Sequence, residues 1–339
     1  MNGRPDPVPL IRTATGFYQS QALFAGVELG VFARLAKGPA DRAELEAALG
    51  LHPSVSRDFL DALVAMGLLA KEGTTYRATP LAAAYLDPDS PEYIGGFLTL
   101  TRRRLYPAWG ELSAFLRSGQ SIADRFSGGS SSPMAHLYAD EQRTRAFAEG
   151  MDGYAVLIGD ALAERFPWHR VSSFADLGGC RGKITTMIAS AHPHLRGVTF
   201  DLAPLEPLFR ELVEGSGVAD RVTFQAGDFF SDRLPETEVY VMGHVLHDWP
   251  EARRRVLIER AFQHLPPGGA LIIYDSMFDD ERDKSTFGLL MSLNMALVSG
   301  ASEYSTADGT GWLREAGFEV EPPVALNELT TMLVGWKPA

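Results

Sequence analysis

The chain has 339 residues, 45% of them apolar and 22% charged, which is enough for two domains with cores of their own and typical of ordinary soluble globular proteins. Its net charge of −12 opposes any broad polyanion-binding role, because nucleic-acid affinity rests on neutralising phosphates with Lys and Arg. Cys180 is the only cysteine, so an intrachain disulfide and a cysteine-based zinc site are excluded.

The opening segment MNGRPDPVPLIR lacks an apolar core of signal-peptide length. The most apolar early stretch, ALFAGVELGVFARLA, is interrupted by Glu28 and Arg34 and is too short and charged to span a bilayer. A cytoplasmic protein without a membrane partner is expected. A helix is predicted over 17–36, carrying Ala22, Leu23, Ala25, Val27, Leu29, Val31, Phe32 and Leu35. It is apolar on more than one face, which predicts burial on two sides. Gly38-Pro39 stops it. Asp41 then caps DRAELEAALG, with Glu44 at the capping-box position and Gly50 as the stop. Ser54 is the expected cap of SVSRDFLDALVAMG, and LLAKEGTTYRAT reads as two short strands around Gly73. Helix, turn, helix and hairpin make a winged-helix pattern, whose best-known use is DNA binding. The second helix sets Arg57 against Asp58 and Asp61, and the wing offers only Lys71 and Arg77, so a packing or dimerisation module is the better reading. Arg102–Arg104 and Arg253–Arg255 read as solvated helix faces.

Residues 105–170 read as helices broken by a Gly/Ser surface loop, SGGSSSP (127–133). After Pro167, apolar runs of strand length alternate with helical segments: SSFADL, KITTMIASA, GVTFDL, LEPLFRELVEG, RVTFQAG, EVYVMGHVL, EARRRVLIERAFQHL, GALIIYDS. That alternation predicts an α/β doubly wound sheet with parallel strands, whose ligands sit outside the carboxyl ends of the strands.

The first such end is FADLGGCRGK, residues 174–183. Gly178, Gly179 and Gly182 do not fit the dinucleotide spacing, and no P-loop occurs. The turn suits a ligand without phosphates: small residues let the backbone approach an amino-acid portion while Asp176 faces its ammonium. Asp201 ends the next strand, placed to accept from two ribose hydroxyls. After the third strand, Asp228 and Phe229 can hold an adenine by its exocyclic amine and its face. Ribose, adenine and amino acid without phosphate describe S-adenosylmethionine (SAM). Any one of these acids could be a mere turn residue or cap; three at successive strand ends favour the ligand.

The fourth end is GHVLHDWP, residues 243–250. Its two histidines could bind metal, but no zinc pattern lies nearby, and none is expected. His244 reads as a core histidine. His247 lies past the apolar run, where an imidazole could take a proton. Asp275 and Glu303 are carboxylates able to orient that imidazole, although spacing alone does not join the three.

GDFF, HVLHDWP, the PPGG before GALIIYD, and WLREAGF together resemble the SAM-dependent small-molecule O-methyltransferases of the plant caffeate and bacterial polyketide-tailoring type. The resemblance covers nearly the whole chain. It implies a Rossmann-like methyltransferase domain over 111–339, with a helical stretch 111–166 lining the acceptor pocket. It also implies a winged-helix dimerisation domain over 1–110, hence a homodimer. The family's base falls on His247 and its flanking acids on Asp275 and Glu303. Its cofactor contacts fall on Gly178, Asp201, Asp228, Phe229 and Gly243, with Trp249 near the adenine. Met151, Tyr154, Asn294 and Val298 fall on acceptor-pocket positions; with Met291 and Met295 they suit a flat, partly apolar aromatic.

Two departures stand out. Cys180 replaces the family's third glycine, tolerable provided the backbone there does not need a positive φ. Gly243 stands where plant relatives carry lysine, so one cofactor contact is missing or supplied by backbone. The implied reaction is methyl transfer to an aromatic hydroxyl, in secondary metabolism. Methylation of a phenolic or indole carbon in the same site, a non-catalytic SAM-binding protein and a winged-helix regulator are the alternatives.

Overall fold

The structure, a computed structural model, describes residues 5–126, 138 and 140–339; the loop expected at 127–133 lies outside them. The chain divides into two compact units between Arg103 and Arg104.

In the first unit the helix predicted over 17–36 is two helices, Phe17–Glu28 and Val31–Ala36. Gly30 breaks it with a φ of +75°, a left-handed conformation that glycine adopts at little cost. Asp41 and Glu44 form the full capping box at the start of Arg42–Leu49. The helix Pro53–Ala65 is capped by His52, not Ser54: the His52 ring accepts the Ser54 backbone N–H. The strands Ala40–Asp41, Leu69–Glu72 and Thr75–Ala78 form a small antiparallel sheet. Phe32, Leu45, Leu60, Leu63 and Tyr76 fill the core beneath it. Lys71 of the wing is 2.6 Å from Asp61, which also accepts from the Tyr76 hydroxyl. That pair sets an acidic group beside the wing's exposed Lys71, which makes the wing a poor reader of phosphate.

The second unit carries the site. Its strands are β1 (Ser173–Leu177), β2 (Arg196–Asp201), β3 (Val222–Ala226), β4 (Val239–Gly243), β5 (Ala270–Asp275), β6 (Glu319–Val320), β7 (Val324–Ala325) and β8 (Thr331–Trp336). Their order is β7-β8-β5-β4-β1-β2-β3, with β6 also on β8. Strands β1 to β5 run parallel and β8 is antiparallel to β5. Three short helices, Tyr106–Trp109, Leu112–Ser118 and Ile122–Phe126, precede α1 (Glu141–Val156), α2 (Gly159–Arg165), α3 (Lys183–Ala191), α4 (Glu206–Val213), α5 (Glu251–His264), α6 (Thr286–Ser299) and α7 (Thr306–Glu315). Alternate strand residues point to opposite faces, and both faces are covered. Phe174, Val239, Val241 and Ile272 pack with Leu162 of α2 and Ile188 of α3. Ala175, Tyr240, Leu271 and Ile273 pack with Leu257 of α5 and Leu313 of α7. This is the doubly wound architecture. The chain leaves β1 toward β2 and later returns to β4 on the other side, so the crevice outside the ends of β1 and β4 is the topological switch point. Among the described residues no helix is long and apolar enough to cross a membrane.

Candidate active site

A cavity opens at that switch point, lined by the turn after β1, the ends of β2, β3 and β4, and one side of α1. Gly178 has a φ of +82°, and a Cβ there would lie 2.6 Å from Val245 Cγ2 of the turn after β4. Only glycine lets the two turns approach so closely. Cys180, in contrast to the condition set by its sequence position, does adopt a positive φ, +53°. A non-glycine residue there costs about 1–2 kcal/mol. Its thiol packs near Ala148, Leu205 and Leu208. Burial, then the Asp201 charge, pushes the thiol pKa well up, which disfavours the thiolate.

The strand-end acids differ in character. Asp201 is held in place: Oδ2 accepts the Cys180 N–H at 2.8 Å and Oδ1 the Leu202 N–H at 2.7 Å. Burial raises its pKa to about 6 against those two bonds. Asp176 is buried, and burial together with the Asp201 charge brings it to about 7. Asp228 is exposed, and its Oδ1 accepts the Phe230 N–H at 2.8 Å, so it also shapes its own turn. Phe229 meets Trp249 edge-on at 6.1 Å, and both line the cavity. Gly243 lines it too. A Cβ on Gly243 would sit 1.8 Å from Cζ of the buried Tyr274, so a side chain at this position competes with that ring.

His247, Asp275 and Glu303 come together although they lie in a short helical turn after β4, at the end of β5 and in the loop after α6. His247 Nδ1 donates to Glu303 Oε1 at 2.6 Å and lies 3.4 Å from Asp275 Oδ1. The Tyr304 hydroxyl donates to Asp275 Oδ2 at 2.5 Å. Burial disfavours charge on His247, but the Glu303 and Asp275 carboxylates outweigh it and raise its pKa to about 10. Burial pushes Asp275 up. Burial, then His247, holds the neighbouring His244 well down and neutral. Among the described residues, Asp275 Oδ1, Glu303 Oε2 and His244 Nε2 are buried without a hydrogen-bond partner.

Met151 and Tyr154 project from α1 into the same cavity as the glycine turn. Tyr154 meets the His244 ring edge-on at 4.6 Å. Asn294 and Val298 stand on α6, which packs on the His247 turn, but neither lines that cavity. Asn294 Oδ1 accepts from the Trp109 indole at 3.0 Å, and Asn294 Nδ2 lies near the sulfurs of Met291 and Met295. Trp109 and Tyr304 belong to no sequence motif, and Tyr274 lies in the GALIIYD run without a role assigned to it. Tyr304 has one signal, its place beside Glu303.

A doubly wound sheet with a glycine turn of neither dinucleotide nor P-loop spacing, acids at successive strand ends and an imidazole held by carboxylates is suited to a group-transfer enzyme with a nucleoside cofactor. Comparison with known proteins sharpens that class. The O-methyltransferase domain family matches residues 109–319, and the O-methyltransferase dimerisation domain family matches residues 11–88. The chain is 41% identical, over 98% of its length and 97% of the relative's, to the tetracenomycin polyketide synthesis 8-O-methyl transferase of Streptomyces glaucescens. It is 38% identical to the N,N-dimethyltransferase OxyT of Streptomyces rimosus, over 94% of this chain and 93% of that one. The human N-acetylserotonin methyltransferase structure in complex with SAM superimposes with a TM-score of 0.90 at 28% identity, covering 100% of both chains. The chain belongs to the O-methyltransferase family. It is a SAM-dependent methyltransferase.

Proposed function

We propose that this enzyme methylates a hydroxyl of a flat aromatic small molecule, of the polyketide kind that its streptomycete relative is named for, with His247 taking the proton. The bond between His247 Nδ1 and Glu303 is the observation that carries this reading. It fixes the ring and leaves Nε2 as the atom for an incoming proton.

The cavity fits SAM. Gly178 gives the close backbone approach, and Asp176 is a buried carboxylate suited to an ammonium. Asp201 offers acceptors to ribose hydroxyls, while Asp228, Phe229 and Trp249 frame an adenine; Gly243 lines the wall between, its missing side chain leaving room for the Tyr274 ring. The bound donor supplies an activated methyl on a sulfonium. The chain's own task is to align the acceptor and expose its lone pair. Few phenols are ionised at neutral pH, since phenol pKa is about 10. In its deprotonated form His247 takes that proton on Nε2, and Glu303 and Asp275 stabilise the imidazolium that results. Met151 and Tyr154 of α1, with Asn294 and Val298 of α6, bound the acceptor. Incubation with methyl-labelled SAM and a panel of polycyclic aromatics that carry hydroxyl or amino groups tests the reading. Label in a phenolic product supports it; label only in amine acceptors, the chemistry OxyT is named for, would replace it.

The raised pKa of His247 has a definite sign for the rate. A base works only when deprotonated, so kcat/KM rises with pH as His247 loses its proton, in the alkaline range. Glu303→Gln removes the larger of the two carboxylate contributions. The rising limb is expected to move to lower pH by roughly one unit or more. A limb that stays in place in a pH–rate profile would remove Glu303 from control of the base.

The protein is expected to be a homodimer through the first unit. The helix Val8–Thr15 buries none of its own residues, and Leu10 and Ile11 are 74% and 61% exposed. Light scattering should give a dimer mass for the wild type. Leu10→Glu combined with Ile11→Glu should lower it to that of a monomer.

A further inference from the structure

One buried ion pair joins the two halves of the proposed site. Arg181 lies in the glycine turn, between Cys180, whose N–H is fixed by Asp201, and Gly182, the residue just before α3. Asp152 lies on α1, directly after Met151 and two residues before Tyr154. Arg181 Nε donates to Asp152 Oδ2 at 2.8 Å, and Nη2 donates to the same oxygen. Both side chains are largely buried, with 16% and 13% of their surface exposed. Separating such a pair leaves a charge without its partner in a desolvated place, which is strongly resisted. Other described ties of α1 to this side of the sheet are apolar or exposed: Ala148 with Leu205 and Leu208, Ala155 in one cluster with Ile184 and Ile188 of α3, the Tyr154 ring against His244, and the exposed pair Arg145 with Glu211.

We propose that Arg181 and Asp152 are positioning residues that lock the acceptor-facing helix α1 to the glycine turn, so that filling the cofactor site orders the acceptor wall. This rests on the placement of SAM at the glycine turn. A continuous path runs from Asp201 through the Cys180 amide and Arg181 to Asp152, and thence to Met151 and Tyr154. A ligand that rigidifies the turn thereby rigidifies α1, and by linkage an acceptor that orders α1 tightens the cofactor.

Hydrogen exchange on the full-length protein, with and without S-adenosylhomocysteine, tests this. In the wild type both the turn 178–182 and α1 should gain protection on binding. In Arg181→Met and Asp152→Asn the turn should still be protected while α1 is not, and the ligand should bind on the order of 5- to 50-fold more weakly. Arg181→Lys, which keeps the charge and one donor, should recover much of the α1 protection. A merely structural loss would not be repaired in this way. If Arg181→Met fails to fold, Asp152→Asn and Arg181→Lys carry the comparison. Ligand-induced protection of α1 that is unchanged in the first two variants, or absent in the wild type while the turn is protected, would overturn the inference. No protection of the turn in the wild type would instead remove the cofactor placement, and the inference with it.

Discussion

Asp201→Asn is expected to weaken SAM binding by roughly 30- to 1000-fold, or about 2–4 kcal/mol. The carboxylate is the one strand-end acid fixed on both oxygens, by the Cys180 and Leu202 amides. Those bonds aim its remaining lone pairs, and in the proposed placement of the cofactor two charge-assisted bonds to ribose would be lost with the charge. Asparagine adds a second fault. Whichever way its amide faces, an NH₂ meets one of the two backbone donors, and the glycine turn must shift. A pH dependence follows from the same group. Its pKa is raised to about 6 by burial, so cofactor affinity falls as pH drops through that value, and the variant should lack the step. Calorimetry with S-adenosylhomocysteine reads both effects. Wild-type affinity in the variant would take Asp201 out of the cofactor site.

His247→Ala is expected to reduce turnover about 10²- to 10⁴-fold while cofactor affinity stays near wild type. The ring stands past the end of β4, held through Nδ1 by Glu303 and flanked by Asp275. Its loss removes the proposed proton acceptor and leaves the two buried carboxylates without their cation, which also lowers stability. Asp275 and Glu303 each have one oxygen already unpartnered, so the variant deepens an existing deficit. Equal turnover in the variant would show that the phenol ionises without this base.

The sheet was legible because apolar runs of strand length alternate with helical periods, and because both faces are covered, which suppresses strict polar alternation within the strands. The acids at the strand ends were legible for the same reason: an apolar run that stops at Asp176 or Asp201 marks the carboxyl edge. What joins His247 to Asp275 was not legible, because it depends on β4 lying beside β5, where Gly243 pairs with Tyr274. Glu303 arrives from a loop whose path no local pattern fixes. Backbone torsions were equally hidden. Cys180 reads as a harmless small residue until its φ is seen, and the helix predicted over 17–36 breaks because Gly30 takes the left-handed conformation. Asn294 looks free in the sequence, yet its carbonyl is occupied by Trp109, 185 residues away. Arg181 and Asp152 carry opposite charges near two motifs, but only the packing of α1 against the turn brings them into contact.

The most direct test of the central claim is to locate the transferred methyl carbon. Wild-type enzyme, methyl-¹³C SAM and a hydroxylated polycyclic acceptor that is turned over should give a product whose labelled methyl shows the chemical shift of an aryl ether, and the His247→Ala reaction should show that signal strongly reduced. A labelled methyl on ring carbon or on nitrogen, or an aryl ether formed at the same rate by the variant, would contradict the account.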